Sequence, residues 1–184
     1  GHDQPRYHAT SHPRLAESEA THRAIRIAEL AEAPLYVVHV SASEALDNIT
    51  EARDRGVPIF AETCPHYLFL TEEEYDKPGF EPAKYVMSPP LRSQSHQDAL
   101  WRGLATDDLQ VVSTDHCPFC MKEQKELGLD DFRAIPNGIG GVEHRMDLIY
   151  QGVVMGELTL ERWVETCSTT PARMFGLYPK KGVI

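Results

Sequence analysis

VVSTDHCPF, residues 111–119, begins as a β-branched apolar run and stops on an aspartate and a histidine. A strand that spends core-forming residues to present Asp115 and His116 at its end raises the question of what that sheet edge does. Two earlier stretches share the habit. PLYVVHVS (34–41) ends on His39 and Ser41, and VPIFAET (57–63) leads into Cys64, Pro65 and His66. Apolar character that is nearly continuous, rather than alternating, predicts strands buried on both faces of a parallel sheet.

The stretches between them fit that reading. Residues 13–33 carry Leu15, Ala20, Ala24, Ile27, Ala28 and Leu30 at helical spacing, and Pro34 ends the run. Ser41-Ala-Ser-Glu44 predicts a capping box opening a helix that Gly56 closes. Thr71 caps a short helical turn, YVMSPP (85–90) reads as a strand cut by prolines, and 93–105 is a helix with Leu100, Trp101 and Leu104 inward. Residues 116–141 form a long loop of the kind that is functional or mobile. Helices over about 142–155 and 160–168 follow, then one with Thr170 as cap and Pro171 at its first position, stopping near Gly176. The first dozen residues have no period and read as a loop or a cut end.

Alternating strands and helices predict βαβ units of an α/β fold. No glycine-rich phosphate loop follows any strand, which argues against a nucleotide-binding sheet. The remaining solution is a (β/α)8 TIM barrel, with function at the C-terminal strand ends. A whole barrel takes about 250 residues, and this chain has 184 with three or four strands, so the expectation is an incomplete barrel, a fragment or a truncation.

Composition sets the outer limits. Hydrophobic residues make up 41% and charged residues 25%, ordinary values for a globular chain, and the net charge is −10. So acidic a surface repels phosphate backbones and anionic lipid, so neither nucleic acid nor membrane is expected as a partner. No apolar run is long enough to span a bilayer. Cys64, Cys117, Cys120 and Cys167 form no disulfide framework, and the Cys117–Cys120 CxxC pair lacks the second pair that structural zinc wants. Reduced thiols, as in a cytoplasmic protein, are the expectation.

In a barrel the strand ends converge, which would bring His39 and Asp115 towards one mouth despite their distance in sequence. Imidazole plus carboxylate suits zinc, manganese or iron in an open site, and a divalent ion there would supply a hydroxide nucleophile at neutral pH. Taken singly, each residue has a plainer account: a hydrogen-bonded core histidine for His39, a turn or helix cap for Asp115. His66 and His116 read equally well as loop histidines.

Five stretches, in this order, resemble the D-hydantoinase/dihydropyrimidinase family of cyclic amidohydrolases: PLYVVHVS, AETCPHYLFLTEEEYDKPGFEPAKYVMSPPLR, VVSTDHCPF, IPNGIGGVEHRM and TPARMFGLYPKKGVI. The similarity runs from about Tyr7 to Ile184, and SPPLR, STDHCPF and PNGIGG together are highly specific. The resemblance implies a TIM-barrel hydrolase, a homotetramer or dimer, with two metal ions, zinc or manganese. Its ligands are an HxH pair, a carbamylated lysine, two histidines and an aspartate. His39 matches the sixth-strand histidine and Asp115 the eighth-strand aspartate, which also shuttles the catalytic proton. Ser88 and Asn137 would hold a cyclic ureide substrate, mainly through backbone groups, and Gly138, Gly140 and Gly141 would let the backbone approach its ring.

The chain contains no HxH. Residues 1–184 are therefore expected to be the C-terminal part of the catalytic barrel, about strands 6 to 8, without its N-terminal half, the carbamylated lysine or the family's small β-sandwich domain. A piece of this kind is expected to be inactive alone. Two alternatives stand beside the hydrolase: a non-catalytic scaffold of the same fold, and a related cyclic amidohydrolase acting on allantoin or dihydroorotate.

Overall fold

In the computed structural model, which describes residues 3–183, three parallel strands carry the helices expected of βαβ units. The sheet order is β1 (Leu35–Val37), β2 (Ile59–Thr63) and β3 (Val111–Val112). Leu35 pairs with Ile59 and Val37 with Ala61, while Glu62 and Thr63 pair with Val111 and Val112. All three strands therefore deliver their following residues to the same edge.

The helices are α1 (Arg6–Ser11), α2 (Arg14–Ala31), α3 (Ser43–Asp54), α4 (Pro65–Phe69), α5 (Gln94–Thr106), α6 (Arg145–Met155), α7 (Leu160–Val164) and α8 (Thr170–Met174). One core joins them, with Ile49, Ala61, Leu100, Leu104, Leu109 and Ile149 fully buried. Burying each Leu or Ile side chain favours folding by about 1.5–3 kcal/mol. Trp101, on the inner face of α5, donates its indole N–H to the Leu68 carbonyl at 3.1 Å, so the ring is buried without an orphaned donor.

Several local expectations are corrected. The opening residues are not all loop, since Arg6–Ser11 form α1. The Ser41 capping box does not form, because a neighbouring helix supplies a stronger acceptor. Glu17 of α2 takes the Ser41 amide at 2.8 Å, the Ala42 amide at 3.0 Å and the Ser41 hydroxyl at 2.5 Å, and α3 begins at Ser43. Residues 85–90 are not a strand. A 3-10 turn, Glu81–Tyr85, enters a segment with no ladder partner, and its carbonyls go to side chains instead. Thr170 is not a helix cap either: α7 runs through a π-helical stretch, Glu165–Thr169, directly into α8. Gly56 and Gly176 do close their helices with positive φ. Among the described residues no helix is long and apolar enough to cross a membrane.

Candidate active site at the sheet edge

β1 ends at Val37, and two residues later the backbone of His39 turns into the left-handed region at φ 43°. β3 ends at Val112, and Asp115 does the same, again at φ 43°. Left-handed backbone costs a residue with a Cβ roughly 1–2 kcal/mol, and such outliers gather where a side chain must be aimed. Two of them, past the carboxyl ends of two parallel strands, make this edge the candidate site.

β2 lies between these strands, so about two strand spacings, roughly 10 Å, separate the two turns. That leaves room for an ion and other ligands rather than for a direct bond. His39 is half-buried and Asp115 exposed.

His39 and Ser88 share the wall of a cavity of about 570 Å³ with β1, α2 and Arg92. Asn137 lies on another loop, yet its side-chain oxygen accepts from the Ser88 hydroxyl at 3.5 Å. The two residues expected to hold substrate are thus neighbours, one of them in the same wall as His39. Asp115 does not line this cavity; its charge is felt instead by Cys64 and Tyr67, at the start of α4.

The groups around the two turns are held uncharged. Burial pushes the Cys64 thiol up to about 12, with the charges of Glu62 and Asp115 adding to it, and Ser113 is its 3.4 Å partner. A thiol so placed is not a thiolate ligand. His66 is buried, and neither ring nitrogen has a hydrogen-bond partner. Burial first, and His39 second, pull it down to about 4, so it is a neutral imidazole. His116 has a structural role: its Nδ1 accepts the Gly141 and Val142 amides at 3.1 and 3.2 Å, pinning the glycine loop beside Asp115.

Of the three loop glycines, close approach is required only at Gly138. A Cβ there, at φ 151°, would collide with the Cys117 carbonyl oxygen, whereas Gly140 and Gly141 have ordinary clearance. Cys117 and Cys120 are exposed free thiols and Cys64 and Cys167 buried ones. Among the described residues no three His, Cys, Asp or Glu side chains gather as a metal site. The donors present, one imidazole and one carboxylate on strained strand ends, fit a divalent ion as part of a larger ligand set.

Sequence reasoning missed the side chains that hold this edge. Arg92 reaches Glu17 at 2.9 Å, Ser41 at 3.2 Å and the His12 carbonyl at 2.7 Å, lashing the loop after His39 to the prolines after Ser88. Lys125 and His8 hold the carbonyls of residues 86–87. Nothing in the local sequence flags them, for each reads as an ordinary surface charge.

The structure is thus an α/β chain with an imidazole and a carboxylate past the carboxyl ends of two strands of one parallel sheet. No family model matches it. Individual proteins do. The chain is 62% identical over 184 residues to a D-hydantoinase of Streptomyces coelicolor and 49% identical over 185 residues to one of Geobacillus stearothermophilus; each alignment covers all of this chain and 39% of the relative. It superposes on the crystal structure of dihydropyrimidinase from Brevibacillus agri with a TM-score of 0.97 at 49% identity, covering 98% of this chain and 40% of that one. The chain belongs to the D-hydantoinase/dihydropyrimidinase family, of whose members it spans about two-fifths.

Proposed function

We propose that this chain is the C-terminal part of the catalytic barrel of a metal-dependent hydrolase, about strands 6 to 8, and that the full-length protein opens the cyclic amide C–N bond of hydantoins and dihydropyrimidines to give N-carbamoyl amino acids. The observation that carries the reading is the matched φ of 43° at His39 and Asp115, past the carboxyl ends of β1 and β3. The names of the relatives supply the reaction class.

His39 and Asp115 would be two ligands of a two-metal centre, zinc or manganese, completed upstream by an HxH pair, a histidine and a carbamylated lysine. Bound there, the metal centre would polarise the ring carbonyl and activate water at neutral pH. Ser88 and Asn137 orient the ureide against the cavity wall they share with His39. Asp115 takes a proton from the attacking water as the new C–O bond forms. It then delivers that proton to the amide nitrogen as the C–N bond breaks, a general acid–base role. Neutral Cys64 and His66 behind the edge leave Asp115 without a competing thiolate or imidazolium. The full-length protein works in the cytoplasm as a homotetramer or dimer.

The test is hydrolysis of a 5-substituted hydantoin and of dihydrouracil by the metal-loaded full-length protein, read as N-carbamoyl product. Product formation abolished by a chelator and restored by zinc or manganese is expected. A metal-replete protein that opens neither ring would overturn the reading, in favour of a related cyclic amidohydrolase if allantoin or dihydroorotate is opened instead and of a scaffold if no ring is.

A further inference from the structure

Lys125 is 1% exposed, among the largest fully buried side chains of the molecule, although it sits in the long loop between β3 and α6. Its Nζ donates to three backbone carbonyls: Pro136 at 2.7 Å, Val86 at 2.9 Å and Gly138 at 3.0 Å. An ammonium has three N–H donors, and each is used. Two of the acceptors flank Asn137, and the third lies two residues before Ser88. The Val86 carbonyl also accepts the Gly138 amide at 3.0 Å, so one oxygen and one ammonium close a ring of contacts between the two loops.

Main-chain pairing contributes little to this shape: the Gly138 amide on the Val86 carbonyl and the Cys117 amide on the Ile139 carbonyl, at 3.0 and 3.1 Å, join the segments. Residues 86–88 pair with no strand, and the His8 imidazole takes the Met87 carbonyl at 2.8 Å. On the far side, among the described residues, the ladder-like contact is an isolated bridge between His116 and Ile139. Lys125 is itself placed by its backbone amide on the Cys120 carbonyl and by the Phe119 ring, 5.5 Å from Nζ. Burial pulls the ammonium down to about 8, with Cys117 acting in the opposite sense. The three carbonyl oxygens favour the charged form as well. A lysine buried without a carboxylate is costly, and its three donors are spent on joining the two loops.

We propose that Lys125 is a positioning residue for substrate binding, one ammonium that fixes Ser88 and Asn137 relative to each other by gripping the carbonyls on either side of Asn137 and the Val86 carbonyl two residues before Ser88. The inference rests on the proposed role of Ser88 and Asn137 in holding the ureide. Its three donors go to main-chain carbonyls and none to His39 or Asp115, so it governs how well the ring is held rather than how fast it opens.

The test compares the full-length wild type with Lys125→Met, which keeps the length of the side chain and removes all three donors. We expect KM for a 5-substituted hydantoin to rise tenfold or more, kcat to change less than threefold and metal content to stay constant. Hydrogen exchange across 136–141 should quicken while β2 is unchanged. A folded Lys125→Met whose KM stays within twofold of wild type, or whose loss is confined to kcat, overturns the proposal. Should that variant fail to fold, Lys125→Gln decides. Its two donors on a shorter chain cannot reach three carbonyls, so KM should rise threefold to tenfold, and an unchanged KM overturns the proposal. A wild type that opens no cyclic ureide breaks the functional reading instead; unaltered exchange across 136–141 in Lys125→Met then overturns the clamp on its own terms.

Discussion

The sheet with its helices and the loop pair over residues 86–92 and 116–142 satisfy their backbones in opposite ways. In the first, main chain meets main chain: β1 and β2 pair in register, and where β1 gives out the Val40 amide still finds the Glu62 carbonyl at 2.8 Å. In the second, side chains do much of the work, some from the loops themselves and some from elsewhere in the sequence. Lys125, His8 and Tyr67 take the carbonyls of residues 86, 87 and 89, and His116 takes the amides of 141 and 142. A ladder survives the loss of one side chain; a carbonyl held by a single ammonium does not. The framework should therefore register mutation as stability, and the loops should register it as function.

The largest separation of the two comes at the strand end itself. In the full-length protein Asp115→Asn should lower ring-opening turnover at least about a thousandfold, by removing a ligand charge and the proton carrier together. The melting temperature should move little, because Asp115 is exposed and outside the core. Steady-state kinetics beside a thermal melt checks both, and turnover within tenfold of wild type contradicts the role.

Leu104→Ala should do the reverse. Leu104 is 0% exposed on the inner face of α5, and truncation at such a site costs about 2–5 kcal/mol. Chemical denaturation should show that loss with kcat/KM per folded molecule unchanged.

Acid should loosen the framework at His66. Burial holds His66 neutral down to about 4 against an ordinary 6.5. As pH falls, the unfolded chain takes up this proton first. The contribution is whole above 6.5 and is lost between 6.5 and about 4, about 3 kcal/mol in all. His8 is lowered in the same direction, also by burial. Melting temperatures from pH 7.5 to 4.5 should fall steeply in wild type and less so in His66→Gln; parallel curves would contradict the assignment.

The smallest effect expected is at Gly152, where an added Cβ would lie 2.5 Å from the Trp101 ring. A rigid indole cannot flex aside, so Gly152→Ala should cost about 1–3 kcal/mol by overpacking and leave KM untouched. Urea unfolding checks the first part and kinetics the second.

The framework could be read from the sequence because its causes are local. Helical spacing located α2 and α5, β-branched runs located β1 and β2, and Gly56 closed α3 as expected. Legibility ended where partners come from afar. The Ser41 box was a sound local signal, outcompeted by Glu17 from another helix. Residues 85–90 look β-forming until their carbonyls are seen on His8 and Lys125. At the site, His39 and Asp115 stood out because polar residues ended apolar runs. Lys125 lies in KEQKELG, where a lysine looks solvated, and only the fold shows that it is buried.

The account depends on His39 and Asp115 serving one metal centre. Anomalous diffraction at the zinc and manganese edges from crystals of the full-length protein measures this directly. A metal peak about 2.0–2.2 Å from a ring nitrogen of His39, with the Asp115 carboxylate on that ion or its partner, is the predicted result. Metal bound elsewhere, with these two side chains coordinating nothing, would contradict it.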